Sequence, residues 1–87
     1  MNTWIEGIQN AIEYVESHLT EDIQIKDVAE KAYVSEFHFQ RIFGVLCGFS
    51  LSEYIRNRRM ALAARELAWS DVKVIDIALK YGYDSPD

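Results

Sequence analysis

The chain is short of several things, and each shortage removes a class of protein. Among 87 residues there is one cysteine, Cys47. A single thiol cannot build an internal disulfide framework, and set among apolar neighbours it fits a packing residue in a reducing compartment. No uninterrupted apolar run approaches the roughly 20 residues a membrane helix needs. The opening Met1-Asn2-Thr3-Trp4-Ile5-Glu6-Gly7 has neither a basic start nor an apolar core, so no secretory signal is expected and the cytoplasm is the default location. His18 has no second histidine or cysteine at ligand spacing, which leaves no metal site to argue for. Neither a Ser-His-Asp set nor a carboxylate pair can be placed, so no catalytic residue, enzyme activity or cofactor is expected. Basic charge is also scarce, with nine Lys and Arg against fourteen Asp and Glu, a net charge of -5 and a pI near 4.9.

What is present suffices for one small domain at most, with a modest core, since 49% of residues are hydrophobic and eleven are aromatic. The charge is unevenly spread. Residues 1–36 set eight acids against Lys26 and Lys31, a net of -6, and residues 66–87 carry a net of -3. Between them the sign reverses: residues 37–65 hold Arg41, Arg56, Arg58, Arg59 and Arg65 against Glu53 alone, a net of +4. Phosphate neutralisation depends on local Lys and Arg, so this block matters more than the total.

From Trp4 to Leu19, the residues Ile5, Ile8, Ile12, Val15 and Leu19 recur at three- and four-residue steps opposite Glu6, Glu13 and Glu16, the pattern of an amphipathic helix. Thr20-Glu21-Asp22 breaks it. Ile25, Val28, Ala29 and Ala32 mark a second, short helix, and Phe39, Ile42 and Phe43 mark a third running to about Leu46. Ser35 separates them as the expected N-cap of the third. Two short helices joined by a tight turn form a helix-turn-helix candidate. Gly48 is placed as a left-handed C-cap, and Ser50-Leu51-Ser52-Glu53 has the capping-box spacing that opens a new helix. That helix is expected from Leu51 to Trp69. Its apolar residues fall on two sides, Leu51, Ile55 and Leu62 on one and Met60, Ala64 and Leu67 on the other, so it should pack against material on both.

An internal repeat follows. Val74-Ile75-Asp76-Ile77-Ala78-Leu79-Lys80 has the pattern of Ile25-Lys26-Asp27-Val28-Ala29-Glu30-Lys31, 49 positions later. Gly82-Tyr83-Asp84-Ser85 then echoes Tyr33-Val34-Ser35, and Ser85-Pro86-Asp87 has the form of a cap and first turn. A short helix is expected from Val74 to Tyr81.

Three ordered blocks, Ala32-x-Val34-Ser35 with Phe39-Gln40-Arg41-Ile42-Phe43, Gly48-x-Ser50-x-x-x-Tyr54-Ile55-Arg56-x-x-Arg59-Met60, and Ile77-Ala78-x-x-x-Gly82-Tyr83-x-Ser85, resemble the DNA-binding domain of AraC/XylS-type bacterial transcription regulators. The resemblance covers the chain from about Ile8 onward. It implies an all-α fold of seven helices, built as two homeodomain-like three-helix units joined by a linker helix. On this chain that gives a first helix-turn-helix subdomain over 1–48, a linker over 50–69 and an incomplete second helix-turn-helix over 73–87. It implies sequence-specific reading of double-stranded promoter DNA, with recognition helices in successive major-groove segments roughly 34 Å apart. Tyr33 stands where many members have a turn glycine, so either a positive φ or a different turn is expected there. With the motif starting near Met1, any effector domain is expected after it. The uncovered apolar positions Ile75, Ala78 and Leu79 are expected to make the Val74–Tyr81 helix associate or fray and to leave DNA affinity weak.

With positions 39, 42 and 43 turned inward, Glu36, Phe37, Gln40, Arg41 and Gly44 face solvent or a partner. Phe37 suits contact with a thymine methyl, or a satellite of the core. Gln40 can present its amide to adenine and Arg41 its fork to guanine or a phosphate. His38 suits a phosphate or a helix–helix hydrogen bond, and the Ser35 backbone N–H suits a phosphate. The candidate DNA-binding set is therefore Ser35, Glu36, Phe37, His38, Gln40, Arg41 and, as a phosphate ligand, Arg56. Arg59 is expected in an internal salt bridge, and Lys26 and Lys31 as solvated charges. The rival reading is a helical protein-interaction module with little DNA affinity of its own, whose acidic faces bind a partner such as RNA polymerase.

Overall fold

The computed structural model describes residues 3–71 and 73–83, and these hold five helices and no strand. They are α1 (Thr3–Ser17), α2 (Ile25–Lys31), α3 (Glu36–Cys47), α4 (Leu51–Trp69) and α5 (Val74–Lys80). The sequence-based bounds of the linker helix agree at both ends. α1 stops at Ser17, and the next residues to Leu19 continue as turn. The expected cap at Ser85-Pro86-Asp87 lies outside the described residues.

One core joins α1 to α4. Ile8, Ala11, Val15 and Leu19 meet Val28 and Ala29 of α2, Phe39 and Phe43 of α3, and Leu51 and Ile55 of α4. Ile5 is left exposed, and Cys47 sits half-buried at the edge of this core. Gly7 shows how closely α1 approaches the turn after α2. A Cβ built there would lie 2.8 Å from the Ala32 carbonyl oxygen.

The Ser35 hydroxyl accepts the His38 N–H at 3.1 Å and starts α3, and Gly48 closes it with φ 79°. Ser50 and Glu53 cap α4 reciprocally, Glu53 N–H to Ser50 Oγ at 3.1 Å and Ser50 N–H to Glu53 Oε1 at 2.9 Å. The Ser50 backbone N–H also holds the Glu53 carboxyl below its ordinary pKa.

α4 packs on both sides, as its two apolar rows require. Leu51 and Ile55 are buried in the first core with Leu62 against its edge, while Met60, Ala64 and Leu67 line a hollow shared with Val74, Ile77 and Ala78 of α5. Lys80 also meets the Glu66 carboxylate across this junction.

The repeat is geometric as well as chemical. After α2, Tyr33 N–H bonds to Glu30 O at 3.1 Å and Val34 N–H to Ala29 O at 3.3 Å; after α5, Gly82 N–H bonds to Leu79 O at 3.2 Å and Tyr83 N–H to Ala78 O at 2.8 Å. Each residue of the second set stands 49 positions after its counterpart. Buried Val28 and Ala32 likewise correspond to buried Ile77 and Tyr81. Tyr33 takes φ 61° and Gly82 takes φ 87°, so the tyrosine adopts the left-handed turn that glycine adopts in the copy.

Polar bonds fix α4 to α1. Glu16 accepts Tyr54 Oη–H at 2.6 Å, Arg58 Nε–H at 2.9 Å and Arg58 Nη2–H at 2.8 Å. Arg59 donates to two carbonyls after α1, Leu19 O at 2.9 Å and Glu21 O at 2.6 Å. This corrects the assignment of the internal salt bridge to Arg59. Arg58 lies one helical turn after Tyr54 and shares its face toward Glu16, whereas Arg59 follows Ile55 to the end of α1. There it supplies donors to a helix whose last turn has no basic residue of its own.

Candidate nucleic-acid interface

α3 is anchored by one face and free on the other. Phe39 and Phe43 are fully buried, their rings stacked with centroids 5.7 Å apart, and Ile42 packs beside the core. Ser35, Glu36, Phe37, His38, Gln40 and Arg41 are all exposed, so six of the seven candidate residues sit together at the cap and in the first half of one helix. Phe37 is 67% exposed, which removes the core-satellite reading of its ring. His38 uses its backbone N–H on the cap, and its ring makes no helix–helix hydrogen bond among the described residues.

Arg56 is exposed too, but apart. It borders a depression lined by Ile23, Ser52, Ile55, Arg59 and Tyr83, none of them on α3. Its charge helps to hold the Glu53 carboxyl low, after the larger effect of the Ser50 bonds.

Four of the five arginines of the basic block therefore divide by task. Arg58 and Arg59 are engaged with α1 and the turn after it. Arg41 and Arg56 are exposed and form no ion pair among the described residues. The Arg41 guanidinium carbon lies 5.7 Å from the centre of the Phe37 ring. A face with an exposed guanidinium, a primary amide and an exposed ring carries the functional groups that read major-groove edges and thymine methyls. Its acidic member is Glu36 at the first helical position, where the positive end of the helix dipole favours it.

The pattern of inward residues passed over one feature. Val45 is 83% exposed and Leu46 52%, and with Trp4, His38, Arg41 and Ile42 they line an open hollow of about 540 Å³. Val45 falls out of phase with 39, 42 and 43, whereas Leu46 shares their face, seven residues after Phe39, so helical phase signals the exposure of Val45 and not that of Leu46. Among the described residues, no group of three or more His, Cys, Asp or Glu side chains could hold a metal ion. No helix there is long and apolar enough to cross a membrane.

Known proteins share this arrangement. A helix-turn-helix domain family matches residues 28–87. The chain is 40% identical over 78 residues to the regulatory protein SoxS of Salmonella typhimurium, covering 90% of this chain and 73% of SoxS. It is 41% identical over 78 residues to the HTH-type transcriptional activator AarP of Providencia stuartii and 43% identical over 82 residues to the HTH-type transcriptional regulator YbfP of Bacillus subtilis. The chain spans 58% of the length of AarP and 28% of that of YbfP. Among solved structures, the DNA-binding domain of the global transcriptional factor AdpA, in complex with a target DNA, superposes with a TM-score of 0.81 at 29% identity, covering 92% of this chain and 72% of that one. A regulator from Chromobacterium violaceum with an AraC-type DNA-binding domain shares the fold, with a TM-score of 0.85 at 23% identity over 93% of this chain and 72% of that one. The chain belongs to the AraC-type helix-turn-helix family of transcriptional regulators.

Proposed function

We propose that this chain reads promoter DNA by placing α3 in the major groove, with Phe37, Gln40 and Arg41 directed at base edges. The observation that carries the reading is the division of the basic block. Arg58 and Arg59 are engaged with α1 and the turn after it, while Arg41 stands exposed beside an exposed aromatic ring, without an ion pair among the described residues. The solved complex of the AdpA domain with DNA supports the same use of the fold. On this reading Glu36 accepts from a cytosine amine, and His38, Arg56 and the Ser35 backbone N–H lie against phosphates.

The setting is the bacterial cytoplasm. RNA polymerase is the protein partner, met by the acidic surface where Glu6, Glu13, Glu21 and Asp22 are exposed. Weak self-association runs through α5, whose Val74, Ile75 and Leu79 are 67%, 59% and 54% exposed.

The experiment is binding to promoter duplexes across a salt series. A DNA reader loses affinity steeply as salt rises, in proportion to the phosphates it contacts. Arg41→Ala should relax discrimination at one base pair by about 1–3 kcal/mol. A protein that leaves no promoter footprint at low salt is instead the helical interaction module.

A further inference from the structure

Phe37 and Arg41 stand four residues apart on α3, neighbours on the helix surface. The guanidinium carbon lies 5.7 Å from the ring centre, within the range of a cation–π contact. Phe37 is 67% exposed, so its ring contributes little to anchoring the helix. The His38 ring flanks it, with centroids 6.2 Å apart and planes 58° apart. Among the described residues no carboxylate pairs with Arg41. The aromatic ring is thus the cation's partner. This differs from Arg58, which a carboxylate holds, and from Arg59, which carbonyls hold.

A guanidinium positioned on a ring keeps its N–H donors outside the contact. Those donors lie in one plane, and guanine O6 and N7 accept from them only when that plane is aligned with the base edge. An unpaired arginine on an exposed helix face would otherwise lose its side-chain rotamer freedom at the moment of binding. The ring restricts that freedom beforehand.

We propose that Phe37 is a positioning residue for Arg41: its ring holds the guanidinium in the orientation that selects a base, so the identity of residue 37 sets selectivity at the base pair Arg41 reads. This rests on α3 being the reading helix. Phe37 then acts on two base pairs, its own and that of its neighbour one turn on.

The test is selection from a randomised duplex pool at low salt, comparing the protein with Arg41→Ala, Phe37→Leu, Phe37→Trp and the Phe37→Leu/Arg41→Ala pair. Far-UV circular dichroism checks that each variant is folded. Arg41→Ala identifies the base pair whose preference flattens. Phe37→Leu, which keeps apolar bulk and removes the ring face, should lower discrimination at that same pair by about two- to fivefold. Phe37→Trp should preserve it, and the double variant should lose no more there than Arg41→Ala alone. Unchanged discrimination at that pair in Phe37→Leu, or independent effects in the double variant, overturns the proposal while leaving α3 as the reader. If the protein enriches no sequence, the DNA reading and the proposal fail together. In the unbound protein, NMR should show ring-current shifts on the Arg41 side-chain protons that vanish in Phe37→Leu; their absence overturns the proposal whatever the DNA result.

Discussion

Glu16 on α1 and Arg58 on α4, 42 residues apart in the chain, hold the linker helix to the first helix-turn-helix unit through a two-pronged ion pair that Tyr54 completes. α4 also carries α5, so this clamp helps to set the direction in which the repeat unit leaves the first. Both partners are partly exposed, with side-chain accessibilities of 38% for Arg58 and 32% for Glu16. The pair should therefore be worth less than a buried one, and Glu16→Gln should cost about 1 kcal/mol in urea denaturation.

The same carboxylate makes stability depend on acid. The Arg58 hydrogen bonds lower the Glu16 pKa from its ordinary 4.5, against a smaller opposing effect of burial. A depressed carboxyl pKa gives stability that is present above the unfolded value and lost as pH falls from there through the folded value. Unfolding free energy should thus decline below about pH 4.5, and Glu16→Gln should decline less steeply. Glu53 is shifted the same way by Ser50, so the difference between the two titrations is the quantity to measure.

Tyr54 produces the opposite slope at the alkaline end. Burial first, and then its hydrogen bond to Glu16, push its phenol up from 10.0 to about 12. Between those values the unfolded chain has lost a proton that the folded chain keeps, so stability falls as pH rises through this window. Tyr54→Phe should flatten the fall, as read by denaturation at a series of alkaline pH values.

Gly7 tests the contact between α1 and the turn after α2. An added Cβ would meet the Ala32 carbonyl at 2.8 Å, a backbone atom that cannot swing aside. Gly7→Ala gains helix propensity of about 1 kcal/mol but forces the two segments apart, so a net loss of about 1–2 kcal/mol is expected. Thermal or urea unfolding reads it directly.

Tyr33 is the converse case. Its φ of 61° is costly for a side chain, and 85% exposure means that little packing is lost on its removal. A left-handed conformation costs an L-residue about 1–2 kcal/mol, and glycine gives back about 0.5–1 kcal/mol in unfolded-state entropy. Tyr33→Gly should stabilise the chain by up to about 1 kcal/mol, raising the urea midpoint.

Much of this fold was legible in the sequence because its signals are local. Ser35, Gly48 and the Ser50–Glu53 box act within a few residues of themselves, and they fixed the helix ends where the structure has them. The repeat was legible for the same reason, and its turn hydrogen bonds recur with its residues. Helical phase also separated the buried Phe39 and Phe43 from the exposed Phe37, Gln40 and Arg41. The partner of each arginine was not legible. Whether Arg58 or Arg59 meets a carboxylate depends on where Glu16 lies across the α1–α4 contact, and a one-residue difference in phase decides it. The Phe37–Arg41 contact and the exposure of Leu46 are tertiary facts of the same kind.

The most direct measurement of the central claim is an NMR titration of the protein with a duplex it has enriched from a random pool, followed residue by residue at low and high salt. The largest shifts should fall on Ser35 to Arg41, with a smaller set around Arg56, and should fade together as salt rises. Shifts concentrated on the acidic surface of α1 or on α5, with α3 unaffected, would contradict it.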